Sequence, residues 1–406
     1  MILRKIKLRL VGLKHSLIDS FLYSVSDRDT TFLKRVFSVF GLFIFQDSKL
    51  LIGSLWSRPS ITSWLLASFG LSYNINNLGN PFSKETNQYD FMQKIEREVI
   101  SWNKEVINCR DENVEGYVTS GGTESNLFLM WSGREYLLKN SDKRPILIKS
   151  EFTHYSIQKS ARILGLQVRT IGINRETWGL DIKLLEDEVE RLVKQGFLSI
   201  MLPITIGYSS TGSSDDLREI VRTLKKLQKK YSKLNFFVWI DAAAQGLVKS
   251  FLDKNFKPFE DALIKGYVLD FHKLGQAPLP AGLVLYKKEL RKLIETPIDY
   301  LHEQDATISG SRPGSSILSI WGSINSKSKE SWQEYFLKLE HKKNAFVKRL
   351  KLIYPEVNII NEKKALTIAI LIDDNFPKLS ERIEEKFSLV ECNVAGVRHY
   401  KIHVLK

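Results

Sequence analysis

Two side chains in this sequence stand where one chemistry could use both. Asn235 to Ile240 is a short, almost wholly apolar run rich in Val, Ile and aromatics, and it ends on Asp241, followed by Ala242 and Ala243. Further on, a second apolar run, Tyr267 to Leu269, leads into Asp270-Phe271-His272-Lys273. Runs of this length and composition predict buried strands. Ligands of open α/β sheets sit beyond the carboxyl ends of the strands, so Asp241 and Lys273 are expected to face one crevice. A carboxylate there holds a ring nitrogen protonated and an amine forms a Schiff base, the pairing that a pyridine cofactor needs. Taken alone, the two residues read more simply as a salt bridge or as unrelated surface charges. A third stretch changes that balance. Gly116-Tyr-Val-Thr-Ser-Gly-Gly-Thr-Glu-Ser-Asn126 is a Gly-rich turn that opens a long helical pattern. Such a turn offers free backbone N–H groups and a positive helix end to a phosphate. Its spacing is neither that of a P-loop nor that of a dinucleotide fingerprint.

With these motifs the chain resembles a group II pyridoxal phosphate-dependent amino-acid decarboxylase, most nearly the bacterial histidine decarboxylases and plant serine decarboxylases. The matching segments run in family order. They are Ser72 to Phe82, Gly116 to Glu135, Thr153-His154-Tyr-Ser-Ile157, Ile206-Gly207 through Asp216, Ile240 to Ala243, His272-Lys273 through Gly282, and Ile298-Asp-Tyr300 through Arg312. The likeness is good over residues 70 to 330 and weak in the tail. It implies the α/β, transferase-like fold of type I: a mostly parallel, seven-stranded-type sheet with helices on both faces, plus a smaller C-terminal α+β domain. Expected boundaries are 1–70 for a helical segment associated with a dimer partner, 71–325 for the large cofactor-binding domain and 326–406 for the small one.

The resemblance also implies roles. Lys273 carries pyridoxal 5'-phosphate, and Asp241 pairs with its pyridine nitrogen. Ala243 is small, as a residue packed against the ring must be. Gly121, Gly122 and Thr123 hold the phosphate, with His272 as a further contact. His154 stacks on the ring and helps to position the substrate. Tyr300 is the candidate that returns a proton to the carbon left by carbon dioxide, with His302 second. A shared active site at that loop implies a homodimer. The chain departs from the family pattern at Asp270, where a small polar residue is usual, and an acid beside a phosphate must point away or shift the phosphate contacts. Pro313 and Ser315 replace Asn and His in the Ser309–Ser315 motif, and Tyr208-Ser209 replaces a Thr pair, all expected near the active site. No Gly-Tyr-Pro-type segment precedes Asn76, and the helix that follows the last strand in similar proteins is expected to be missing after Lys406. The implied function is decarboxylation of an L-amino acid, histidine or serine-like, to its amine and carbon dioxide. The alternatives are a carbon–carbon lyase or aldehyde synthase on another amine, and an inactive homologue that binds or regulates.

Composition sets wider bounds. The 406 residues are 43% hydrophobic and 11% aromatic, enough for a large domain and a smaller one. Cys109 and Cys392 make neither a disulfide framework nor a metal cluster, so no metal is expected and a cytoplasmic setting fits. The net charge of +14 is spread over Lys-rich helices rather than one stripe, so nucleic acid is not the expected partner; the resemblance implies a small-molecule amino acid instead. Val36 to Phe45 is too short to span a membrane. Ile2, Ile6, Leu10, Leu13 and Leu17 form a stripe flanked by Arg and Lys, which suits contact with a membrane surface or, as preferred here, with a second subunit.

The elements that must position the site follow from periodicity. Helices are predicted over Tyr89–Val106, Leu127–Leu138, Ser156–Leu164, Ile182–Lys194 and Ser214–Tyr231, alternating with strands at Gly116–Ser120, Ile146–Ile148, Val168–Ile171 and Leu198–Ile206. Gly282–Tyr286 reads as a returning strand, Lys329–Leu352 as a long charged helix, and Val357–Ile372 and Phe387–Val404 as strands of the small domain.

Overall fold

The inner strands of the central sheet are mostly apolar because both faces are covered. A computed structural model describes residues 55, 57–82, 88–139, 141–299, 303–387, 389 and 391–404. Its main sheet contains β1 (Val114–Thr119), β2 (Ile146–Ser150), β3 (Gln167–Ile171), β4 (Ser199–Thr205), β5 (Asn235–Asp241), β6 (Ile264–Asp270) and β7 (Gly282–Lys287). They lie in the order β1-β7-β6-β5-β4-β2-β3. β7 is antiparallel to both its neighbours, and the other pairs are parallel. β1, β2 and β4 are buried throughout, as a parallel sheet sandwiched by helices requires. The edge strand β3 is more polar, with Gln167 and Thr170 exposed. This is the fold expected from the sequence. β5 runs one residue further than predicted and takes in Asp241, while β6 starts three residues earlier and ends on Asp270.

The helices are α1 (Ile61–Ser72), α2 (Asp90–Val106), α3 (Gly122–Leu138), α4 (Tyr155–Ile163), α5 (Ile182–Lys194), α6 (Leu217–Lys230), α7 (Gly246–Leu252), α8 (Phe271–Leu274), α9 (Gly314–Asn325) and α10 (Lys329–Ile353). α5 and α6 begin where Asp181 and Asp216 accept backbone N–H groups of the first turn. α6 turns Ile220, Val221, Leu224 and Leu227 inward at three- and four-residue spacing and leaves its lysines outside. α1 falls at the end of the 1–70 segment expected to be helical, although periodicity placed no individual helix there. It packs on α9 through small residues: Ser63 Oγ donates to the Ser319 carbonyl at 2.6 Å, and Gly70 lies against Ser315.

A second sheet, β8 (Ile359–Ile360), β9 (Thr367–Leu371), β10 (Glu391–Val394) and β11 (Val397–His403), is antiparallel in the order β8-β9-β11-β10. Each long strand predicted here is a hairpin instead. Ala395 and Gly396 turn β10 into β11 with φ of 52° and 75°, a two-residue turn that the sequence hid because Ala stands where Asn or Asp is usual. Buried Gln245, just after the Asp241–Ala243 stretch, ties this sheet to the main one. It donates to Thr367 Oγ1 at 2.7 Å and accepts from Leu366 N at 3.0 Å. These elements belong to one compact unit, Ile52–Leu379 with Val390–Lys406; the helix Glu381–Phe387 falls outside it. The predicted N-terminal stripe and the Val36–Phe45 run lie outside the described residues. Among the described residues, no helix is long and apolar enough to cross a membrane.

Candidate active site

A cavity of about 440 Å³ opens at the carboxyl ends of β1, β4, β5 and β6, lined by Gly121, Gly122, Thr123, His154, Asp241, Ala243, His272 and Lys273. Every predicted site residue is there except Tyr300, which lies outside the described residues together with His302.

The floor is built first. β1 ends at Thr119, and α3 starts at Gly122 with Gly121 between them at φ 152°, a conformation that side chains resist. Gly282, first residue of β7, lies so close that a Cβ there would come within 2.4 Å of Gly121 Cα. No side chain caps the start of α3, so its first amides remain available to an anion. Glu124 is turned back to accept the Ser120 N–H at 2.9 Å.

Asp241 is buried at the end of β5. Its Oδ2 accepts from Asn126 Nδ2 at 2.9 Å, and its Oδ1 accepts from the Ala243 N–H at 3.2 Å. Asn126 is itself oriented: its Oδ1 accepts from buried Trp239 Nε1 at 2.8 Å. Asn126 was missed in the sequence because an Asn in the first turns of a helix has no distinguishing pattern. Asn126→Leu removes a hydrogen bond to a charged group worth about 1.5–3 kcal/mol and leaves the Trp239 N–H unpaired. The expected outcome is a loss of turnover on the order of 10–10²-fold, with a lowered urea midpoint, checked by steady-state kinetics and denaturation of the same preparation.

His154 caps α4. Its Nδ1 accepts from Ser156 N at 3.4 Å and meets Ser156 Oγ at 2.8 Å, which leaves Nε2 to carry the proton of the neutral ring. Burial pushes its pKa down, against the opposing pull of Asp241, so the imidazole is neutral near pH 7. His272 donates Nδ1–H to the Ala281 carbonyl at 3.0 Å, and burial pushes its pKa down too. Lys273 Nζ lies 3.0 Å from Asp270 Oδ2. Asp270 does not point away. It is buried, lines the cavity and stands beside the glycine turn.

Other features differ from expectation. Tyr208 also lines the cavity, but its hydroxyl is spent on Asp215 Oδ1 at 2.5 Å, and Asp215 further accepts from Thr205 N and Leu180 N. Burial raises the Asp215 carboxyl to about 6, with the Tyr208 bond opposing. Pro313 and Ser315 do not line the cavity: Pro313 pairs with Asn76, and Ser315 packs on α1. A larger groove of about 710 Å³ beside α6 holds Arg218, Lys225, Lys226 and Lys229 at the surface, with none of the site residues.

The chemistry of the cavity fits pyridoxal phosphate at the ring end, where a buried carboxylate, a small Ala243, a neutral His154 and a lysine amine converge. The glycine turn fits a phosphate, with Asp270 as the one discordant group. The comparisons agree. The pyridoxal-dependent decarboxylase conserved domain matches residues 61–369. A histidine decarboxylase of Vibrio campbellii is 32% identical over 270 residues, 65% of this chain and 65% of that one. Serine decarboxylase 2 of Oryza sativa subsp. japonica is 29% identical over 266 residues, 64% of this chain and 53% of that one. The crystal structure of an L-methionine decarboxylase from Streptomyces sp.590 shares the fold, with a TM-score of 0.80 at 18% identity over 94% of this chain and 92% of that one. The chain belongs to the pyridoxal-dependent decarboxylase family, whose cofactor is pyridoxal phosphate and whose reaction is amino-acid decarboxylation.

Proposed function

We propose that this chain releases carbon dioxide from an L-amino acid with a histidine-like or small polar side chain, giving the amine. The observation that carries the reading is the convergence of Asp241 and Lys273, from the ends of adjacent strands β5 and β6, on one cavity closed by a glycine turn. Lys273 Nζ attaches the cofactor. Asp241 keeps the pyridine nitrogen charged, and Asn126 with the Ala243 amide holds that carboxylate in register. Backbone amides of Gly121, Gly122 and Thr123 bind the phosphate. His154 would lie against the bound ring, with its Nε2–H free to meet the substrate. When bound, pyridoxal phosphate supplies the electron sink for the pair left behind as carbon dioxide departs. Tyr300 is the proposed proton donor to that carbon.

Two features support the substrate class. The two relatives named from sequence are a histidine decarboxylase and a serine decarboxylase. Ser120, Thr123, Ser156, Thr205 and Ser209 line the cavity, so its wall is rich in hydroxyls. The enzyme is proposed to work as a homodimer in the cytoplasm. Ile61, Trp64, Leu65 and Phe69 on α1 are at least half exposed, an apolar surface that suits burial against a second copy. Among the described residues, Cys109 and Cys392 form no disulfide. The test is product analysis with a panel of L-amino acids. Equal amounts of carbon dioxide and amine from histidine or serine support the reading. Aldehyde and ammonia, or release only from bulky apolar amino acids, contradict it.

A further inference from the structure

Asp270 is the buried group that the proposed chemistry does not use. Only one of its oxygens is satisfied: Oδ2 lies 3.0 Å from Lys273 Nζ and 3.6 Å from His272 Nε2, while Oδ1 has no hydrogen-bond partner among the described residues. Both oxygens face the glycine turn. A Cβ on Gly122 would lie 3.2 Å from Oδ2, and one on Gly121 would lie 3.8 Å from Oδ1 and 3.2 Å from His272 Cε1. The wall across from the uncapped α3 amides is therefore a carboxylate beside an imidazole. Because His272 donates Nδ1–H to Ala281, its Nε2 carries a lone pair when the ring is neutral. A lone pair facing a carboxylate at 3.6 Å is unfavourable until a proton sits on one of them. Lys273 on α8 faces this pair, and the other charged and titratable groups lining the same cavity are His154 and Lys159 on α4 and Asp241 on β5.

Resting on the cofactor reading above, we infer that Asp270 makes capture of the phosphate ester proton-linked: one proton enters with the phosphate and is held between phosphate oxygen, Asp270 carboxyl and His272. No covalent bond changes at this end, and the proton comes from solvent. Attachment of the cofactor takes Lys273 away as Asp270's ion partner, which sharpens the need for that proton. A phosphate ester has its second pKa near ~6, so above that value it is a dianion and meets a like charge. The bound state then holds more protons than the separated partners, and the share of affinity contributed by the phosphate falls as pH rises.

The test separates the phosphate from the aldehyde. Cofactor-stripped full-length protein is titrated with pyridoxal phosphate and with pyridoxal across about pH 6.5 to 8.5, following absorbance, beside Asp270→Asn and Asp270→Ser. Both aldehydes form the same bond with Lys273, so the ratio of their dissociation constants isolates the phosphate. In the wild type, the preference for the phosphorylated form should fall by up to about tenfold per pH unit, the limit for one proton. In either variant it should change by less than about threefold over the range. A flat ratio in the wild type, or the same slope in wild type and variants, overturns the Asp270 inference and leaves the cofactor reading standing. Binding of neither aldehyde by any of the proteins overturns both.

Discussion

Lys273→Ala should abolish the cofactor's absorbance band and lower decarboxylation by more than ~10³-fold, because a covalent anchor and an acid–base group leave together. Lys159 is the control. It lines the same cavity from α4, so an amine remains in reach, and Lys159→Ala should keep the band. The substitution at 273 has a second consequence. It strips Asp270 of its partner at 3.0 Å and leaves a buried carboxylate facing an imidazole lone pair. Loss of about 1–3 kcal/mol of stability is expected from that alone, and pairing with Asp270→Asn should recover most of it. Absorbance spectra, carbon dioxide release and urea melts on the single and double variants check the three parts.

Arg312→Met should cost about 3–5 kcal/mol, a large share of the stability of a protein this size, without touching the cavity. Arg312 and Glu96 form a two-pronged ion pair that is almost fully buried, with Arg312 Nη2 to Glu96 Oε2 at 3.0 Å. Arg312 also donates to the Gly79 carbonyl at 3.1 Å. Glu96 accepts from Asn77 Nδ2 and from the Val118 N–H, both at 2.7 Å. The cluster thus clamps α2, the short antiparallel pair Asn76–Asn77 with Arg312–Pro313, and β1 at Val118, three residues before Gly121. Removing the cation leaves Glu96 desolvated and charged, and that exposed debt of solvation sets the size of the loss. The double variant Glu96→Gln/Arg312→Met should be destabilised less than the sum of the singles, measured as a coupling energy in urea.

What could be read from the sequence was whatever is local. Asp241 and Lys273 announce themselves by ending apolar strands, and Gly121-Gly122-Thr123 by opening a helix; each needs only its neighbours in the chain to be recognised. The parallel sheet followed from uninterrupted runs such as Ile200-Met201-Leu202 alternating with helical periods. The supporting residues were not legible because their partners are remote. Asn126 meets Asp241 across 115 positions, and Arg312 meets Glu96 across 216. Nothing local marks Glu96 among the other charged residues of its helix, yet it lies on the same face as buried Val99, Ile100 and Asn103. The motifs at 72–82 and 309–315 matched a family pattern, but their residues 76–79 and 312 meet in this buried clamp rather than in the cavity. Asp270 was legible as an oddity, and its direction was not: only the fold shows that it faces the turn.

The central claim is that pyridoxal phosphate is attached at Lys273. Its most direct test is to load the protein with cofactor, reduce it with borohydride so that the cofactor–amine bond becomes permanent, and map the modified peptide by mass. One pyridoxyl group per chain is expected, on Lys273, with none on Lys159. A protein that carries no such group, or carries it on another lysine while Lys273 stays free, contradicts it.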